Sequence, residues 1–553
     1  MMTRTTRIDA GVLIVGAGPV GLTLAMDLAW RGIDVTIVET RRPDEPPGVK
    51  CNHVSARSME IFRRLGVAGR LRDAGLPPDF PNDVSYRTTV TGTELARIPI
   101  PCRRERYTAT GGPDTWWPTP EPPHRINQVY LEPTLLEHAS AMDGVRILSG
   151  TQVTDFDERR DDVIARAVNV ASGETVEIAC AYMVGCEGGR SGIRRKIGAT
   201  FRGDSVVQRV QSTCIRARDL TGLMDPKPSW ATCALNPRRC GTMYAIDGDQ
   251  IWLIHNYLRP DETAFESVDR DQCLRLILGV GSEFEYHVVS REDWIARRLV
   301  ADRFRRGRVF ICGDAAHIWV PTAGYGMNAG LADAANLSWL LTATLRGWAP
   351  PEILDAYEAE RRPITEQVSR YAMNHAIALS KQRLAIPDDI EEQSEQGAAA
   401  RARIGKAAYE LNVHQYCCGG LNFGYFYDAS PIISYDGEAA PAYSMHEFTP
   451  STVPGCRTPH LWLRDGRSLY DALGPDFTLL RFDPAVHVED LVTAAMRRGV
   501  PMRVLDVDAD NASTAYRQKL VLSRPDQHVA WRGDAPPRDP LALIDRIRGA
   551  VYQ

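Results

Sequence analysis

Twelve cysteines occur in the 553-residue sequence, yet no Cys-x-x-Cys does, and none has the spacing of a metal site. Reduced, buried thiols are the expectation, with Cys417 and Cys418 adjacent and Cys456 alone in the tail. No run of eighteen apolar residues exists, so no membrane-spanning helix is expected. The short apolar run near the N-terminus lacks a cleavage site and reads as a first strand. A soluble cytoplasmic protein follows as the expectation. Charge of one sign is also scarce: 65 basic against 70 acidic residues leave −5, with a pI of about 6.2. Without a net cation there is little to draw a polyanion, so no nucleic-acid partner is expected. Internal repeats and low-complexity tails are absent. What remains is ordinary globular composition, 44% hydrophobic and 24% charged, with length for three or four domains.

The chain opens as strand, glycine turn, helix, strand. VLIV runs into Gly16-x-Gly18-x-x-Gly21, with Pro19 and Val20 opening a helix, and the next strand ends at Glu39. Gly16 suits a tight turn, Gly18 lets backbone N–H groups approach a pyrophosphate, and Gly21 lets helix and sheet pack closely. The helix N-terminus favours the phosphate charge. Glu39 can accept from both ribose hydroxyls and would repel a 2′-phosphate, so the adenosine belongs to FAD or NAD rather than NADP. Thr40 and Arg41 follow it towards the adenosine end; a solvated Arg41 is the plainer alternative.

A dinucleotide's second half must be met elsewhere, and GDAAHIWVPTAGYGMNAG at 313–330 has the means. Asp314 can accept from a sugar-alcohol hydroxyl such as a ribityl chain offers. Gly324, Gly326, Met327 and Asn328 can bring backbone N–H groups and a helix N-terminus to an electron-rich ring. A flavin gains from this because its reduction places negative charge on the pyrimidine side. A purely structural strand-to-helix turn is the competing reading.

Three motifs in this order, GAGPVG with Glu39, GCEGGRSGIRRKIG at 185–198 and GDAAH through LSWLL at 313–341, resemble the FAD-dependent aromatic hydroxylases, the class A flavoprotein monooxygenases. YEAERRP at 357–363 fits the same family, and 456–480 is similar to its thioredoxin-like C-terminal domain. The resemblance implies an α/β fold: a Rossmann-like FAD-binding domain, an inserted antiparallel-sheet substrate domain and a thioredoxin-like tail. The expected segments are FAD-binding at 1–80, 124–204 and 297–415, substrate-binding at 81–123 and 205–296, and a loop-rich linker with the tail at 416–553. Without Cys-x-x-Cys the tail is structural or an oligomer surface, and a homodimer is a family expectation.

The family implies bound FAD, NADPH or NADH as co-substrate, and oxygen. It hydroxylates a phenolic ring ortho or para to its hydroxyl through a flavin C4a-hydroperoxide. Gln128 matches a family glutamine near the FAD phosphate and ribityl region. Lys50 lies near a family arginine, and Arg57 either reaches the cofactor or anchors its own helix. Glu187 stands before Gly188 where the family has Asp, keeping the charge and shifting it by one bond. Ring activation needs a base or polarising acceptor. His53 is the candidate base, with a structural histidine as the alternative, and the Pro321 carbonyl faces the ring hydroxyl in similar enzymes. His317 is expected to hold its turn. Trp230, Tyr244, Trp252, His255 and Tyr257 are the substrate-pocket candidates, but strand alternation puts Trp252 on the opposite face from His255 and Tyr257. A related epoxidase, oxidase or dehydrogenase on an aromatic or polyketide substrate stays open, as does a non-catalytic flavin sensor.

Overall fold

The computed structural model describes residues 6–225, 228–508 and 514–550. Its first sheet sets five parallel strands in the order Val309–Ile311, Thr175–Gly185, Thr6–Val15, Val35–Glu39, Val145–Ser149. Val12, Leu13 and Ile14 are fully buried, as parallel strands covered on both faces require. The helix Pro19–Trp30 covers one face and packs against the helix Tyr325–Leu345. Thr6–Val15 is flanked by Val35–Glu39 on one side and Thr175–Gly185 on the other. The strand order therefore reverses at its carboxyl end, which opens a crevice there.

The second sheet orders eight strands as His317–Ile318, His287–Ala301, Phe201–Arg216, Ile251–Tyr257, Gly241–Ala245, Ala231–Ala234, Val84–Arg87, Glu94–Ile98. It draws on three stretches of chain, 84–98, 201–301 and 317–318; alternation points to antiparallel sheet over 205–296, and the long strands begin at Phe201 and run on to Ala301. One face, with Trp252 and Ile254, joins a core with Leu274 and Ile277 of the helix Arg270–Leu278. The other face, with Leu253 and Tyr244, packs on Val49, Val129 and Tyr130 from the crevice side.

Two long helices, Asp355–Leu384 and Glu395–Tyr416, lead towards the tail. There Phe477–Arg481 and Met502–Asp506 pair in parallel around the helix Glu489–Arg497; Leu520–Ser523 and Val529–Gly533 add antiparallel, before the helix Pro540–Ile547. Phe477 meets Trp339 and Trp348 edge-on at 6.0 and 6.2 Å, so the tail shares the main core.

Buried charge locks the same junction. Glu360 accepts from both terminal guanidinium nitrogens of Arg524, at 2.6 and 2.8 Å. Of the two readings of Arg57, a cofactor contact or an anchor for its own helix, the contacts support the anchor. Its guanidinium donates to Glu60 at 2.9 Å, to the Asp526 carbonyl at 2.7 Å and to Gln527, so it anchors both its own helix and the tail. Local sequence could not show the tail contacts, because Asp526 and Gln527 lie about 470 residues away. No described helix is long and apolar enough to cross a membrane.

Candidate active site

The crevice is built from backbone. Gly16 takes φ +107° and its N–H donates to the Val38 carbonyl at 2.8 Å, so the chain turns sharply at the end of the first strand. A Cβ on Gly21 would lie 2.0 Å from the Gly16 carbonyl oxygen, whereas one on Gly18 would meet nothing within 4 Å. The first glycine demand is internal packing; the second is open space beside a helix N-terminus. Glu39 is fixed at the strand end, accepting from Ala17 N–H at 2.7 Å and Arg41 N–H at 2.8 Å. Arg41 pairs with Glu39 and Glu132, so its charge is answered within the protein. Thr40, next to Glu39, is exposed.

Asp314 lies across the crevice, on the turn after Val309–Ile311. Its side chain reaches solvent but has protein packed round it, and this desolvation raises its pKa against the pull of His317 and Lys50. Lys50 itself is exposed and pairs with Glu292 at 2.7 Å. Gln128 starts its helix; its N–H donates to the Cys51 carbonyl at 3.0 Å and its side chain to Glu132 at 2.8 Å. These contacts hold the 50–51 segment beside the crevice with Cys51 at φ +43°. Glu187 does what a helix-capping carboxylate does: Oε1 accepts from Gly192 and Ile193 N–H. Gly188 follows at φ +78° with no atom near its would-be Cβ.

The second glycine turn is locked from beneath. His317 Nε2 bonds Asp333 at 2.6 Å and Arg361 bonds the other Asp333 oxygen at 2.8 Å, all three buried. His317 therefore holds the turn, and Arg361 of YEAERRP is its brace. The Pro321 carbonyl accepts from Gly324 N–H at 3.0 Å, and a carbonyl oxygen keeps a second lone pair. Gly324 is left-handed at φ +67° and starts the helix Tyr325–Leu345; a Cβ on Gly326 would meet nothing within 4 Å. Asn328 turns inward. It accepts from Ser55 N–H at 2.9 Å and donates to the His53 and Gly324 carbonyls at 3.2 and 2.6 Å. Half-exposed backbone, open glycines, two helix N-termini and carboxylates at both ends suit a long dinucleotide. They would hold FAD with its ribose at Glu39, its pyrophosphate at Gly18 and its ribityl chain near Asp314.

His53 sits against the second turn, its Cβ 3.1 Å from where a Cβ on Gly324 would be. Its Nδ1 bonds Arg125. A guanidinium only donates, so Nδ1 accepts and in the neutral ring Nε2 carries the proton. Burial, then Arg125, Arg106 and His124, hold its pKa well below 6.5. His53 thus presents a donor, which departs from the expected general base: an Nε2–H can stabilise negative charge on an oxygen but cannot take a phenol's proton. Arg125, which no sequence motif marks, lies over Trp230 at 4.2 Å. From there rings follow in contact: Trp230 to Tyr244 at 5.3 Å, Tyr244 to His255 at 5.4 Å, His255 to Trp294 at 5.7 Å. Tyr257 is on the same strand face and donates to Thr242 at 3.2 Å. Trp252 is the exception among the pocket candidates. It is fully buried on the opposite face with Nε1 bonded to the Ala217 carbonyl at 3.2 Å. Two open surface grooves, beside Arg305 and Asp355 and beside Asp271 and Arg275, contain none of these residues and carry paired charges.

Burial also depresses His124 well below 6.5 and takes His255 down to about 4. An unfolded chain takes up protons near pH 6.5 while these rings resist them, so stability is intact above that pH and falls as pH drops towards 4. At pH 5 His255 alone accounts for roughly 1–2 kcal/mol. Urea unfolding of the holoenzyme at pH 7 and pH 5 should show a clearly lower midpoint at pH 5; equal midpoints would contradict the neutral buried histidines.

Residues 9–372 match the FAD binding domain family and residues 451–550 the family described as aromatic-ring hydroxylase, C-terminal. The structure of the rebeccamycin biosynthetic enzyme RebC with reduced flavin superposes with a TM-score of 0.90 at 32% identity, covering 99% of this chain and 100% of that one. A ternary complex of aklavinone-11 hydroxylase with FAD and aklavinone gives a TM-score of 0.79 at 29% identity over 97% and 98% of the two chains. Phenol 2-monooxygenase of Pseudomonas sp. (strain EST1001) is 28% identical over 99% of this chain and 93% of that one. With the crevice, its two glycine turns and the three motifs in family order, the chain belongs to the class A FAD-dependent aromatic hydroxylases, and it is an FAD-dependent monooxygenase.

Proposed function

We propose that the protein uses NADPH or NADH and oxygen to place one oxygen atom on a phenolic ring, ortho or para to its hydroxyl. The observation that carries this reading is the unbroken contact from Gly324 through His53 and Arg125 to Trp230, Tyr244 and His255. It joins the flavin turn to an aromatic wall. FAD, when bound, supplies the redox and oxygen-activating chemistry. The chain's own residues bind and orient the ring. Tyr244, His255, Trp230 and Trp294 form an aromatic row longer than one phenol needs, which favours a polycyclic phenol such as the aklavinone of the related hydroxylase complex. The His53 Nε2–H stabilises a ring oxygen as it gains negative charge, raising electron density on the carbons ortho and para to it. The apolar, ring-lined wall keeps water from the reacting oxygen. The tail serves as a thioredoxin-like structural module: Cys456 is buried and burial pushes its thiol up to about 11, the opposite of a redox-active thiolate.

The test is incubation of the holoenzyme with NADPH or NADH, oxygen and a panel of mono- and polycyclic phenols, with products weighed by mass spectrometry. A product one oxygen atom heavier is expected, with the larger phenols turned over fastest. Nicotinamide consumed to peroxide with every phenol unchanged would favour an oxidase. No consumption at all would sink the proposal.

A further inference from the structure

Arg125 is 5% exposed, in a segment held to the first domain by the Val54–His124 bridge. Several guanidinium groups buried about as deeply meet carboxylates: Arg106 meets Asp114 at 2.5 Å, Arg361 meets Asp333 at 2.8 Å, and Arg524 meets Glu360 at 2.6 Å; Arg194 donates to two backbone carbonyls instead. No carboxylate among the described residues pairs with Arg125. Its Nη1 donates to a neutral imidazole and its buried Nη2 has no partner. Its guanidinium carbon lies 4.2 Å from the centre of the Trp230 ring and 5.9 Å from that of Tyr416. Asp114, the acid that acts on it through space, is spent on Arg106 and on Trp117 Nε1 at 2.9 Å. A desolvated cation without a counter-ion is costly, and burial accordingly pulls its pKa down. Among the described residues Arg125 meets neither a carboxylate nor a carbonyl, and it faces an aromatic wall.

We propose that Arg125 recognises the substrate, taking an anionic oxygen group, a carboxylate or an ionised phenol, on the ring that lies against Trp230 and Tyr244. A planar guanidinium matches a planar oxyanion, and the indole and phenol faces match the ring that carries it. The inference rests on the reading of this cleft as the substrate site, and it deepens that reading by giving the substrate a charge. It also gives His53 a role beside it: with Nδ1 held by Arg125, the Nε2–H is the second donor to the same anion.

Binding can be read without turnover, from the FAD absorbance of the oxidised holoenzyme. Two pairs that differ in charge serve as probes, salicylate against its near-isostere salicylamide and 4-nitrophenolate against its methyl ether, 4-nitroanisole. At least one anion is expected to bind about tenfold or more tightly than its neutral partner; the pair that shows it tells carboxylate from phenolate. Arg125→Gln should erase the preference and Arg125→Lys should keep part of it, with FAD content and Tm near those of the parent. No preference in the parent protein, including no binding of either anion, would overturn the proposal, as would a full preference in Arg125→Gln. The comparison within the parent needs no variant, so a folding defect does not blunt it. An intact anion preference with no hydroxylated product would sink the function proposed above and leave Arg125 standing.

Discussion

Glu60→Gln is expected to destabilise the protein by about 3–5 kcal/mol, the usual cost of breaking a buried ion pair from one side. Glu60 is sealed from solvent and collects three donors from three parts of the chain: Thr119 at 2.6 Å, Arg57 at 2.9 Å, and Arg457. Burial pushes its pKa up, but Arg457 and Arg57 outweigh that and hold it below the usual carboxylate range. Glutamine keeps the shape and one acceptor oxygen but no charge. Arg457 is then left buried between Phe423 and Tyr470 with no carboxylate, and one of its nitrogens already lacks a partner. Because Glu60 and Arg57 reach the tail while Thr119 belongs to the substrate-side loop, the tail should loosen first. Thermal unfolding and limited proteolysis read both effects: a Tm several degrees lower, and earlier cleavage within 416–553. Glu410→Gln is the control, since its pair with Lys406 is 3.9 Å long and exposed on both sides, and it should change stability by less than about 0.5 kcal/mol. Equal behaviour of the two variants would show that the buried network contributes nothing to docking.

The second large effect separates two glycines of one motif. Gly21→Val should fail to give soluble folded protein, because its Cβ would press to 2.0 Å from a backbone oxygen that cannot move. Gly18→Val should fold with a parent-like apoprotein Tm. Its backbone, at φ −74°, suits any residue, and a Cβ there meets nothing. The valine would instead occupy the space where backbone N–H groups meet the pyrophosphate. Losing one or two charge-assisted hydrogen bonds, about 1.5–3 kcal/mol each, lowers FAD affinity by about a hundredfold. Flavin fluorescence titration of the apoprotein measures it. Parent-like FAD binding by Gly18→Val would move the pyrophosphate away from this turn.

His53 and Trp252 show where reading along the chain runs short. Alternation in IWLIHNYL separates Trp252 from His255 and Tyr257 but does not say which face meets the ligand. The helix Arg270–Leu278 decides that by covering the Trp252 side. His53 was legible as a histidine near the flavin turn, but its tautomer, and with it the choice between base and donor, is set by Arg125, which lies 72 residues on and carries no motif.

What the sequence by itself determined is the crevice. Glycine spacing, the acid at the end of the second strand and the GDAAH turn are demands of local backbone geometry, met within a few residues of where they are written. The family and the FAD site follow from them. Tertiary structure decided which charges are answered and by whom. Arg57 went to the tail, Arg361 to the brace beneath the turn, and Arg125 was left without a carboxylate in the aromatic wall. Counter-ion choice depends on which distant side chains burial brings together, and the cost of burying an unpaired charge leaves no trace in the spacing of the residues that bear it.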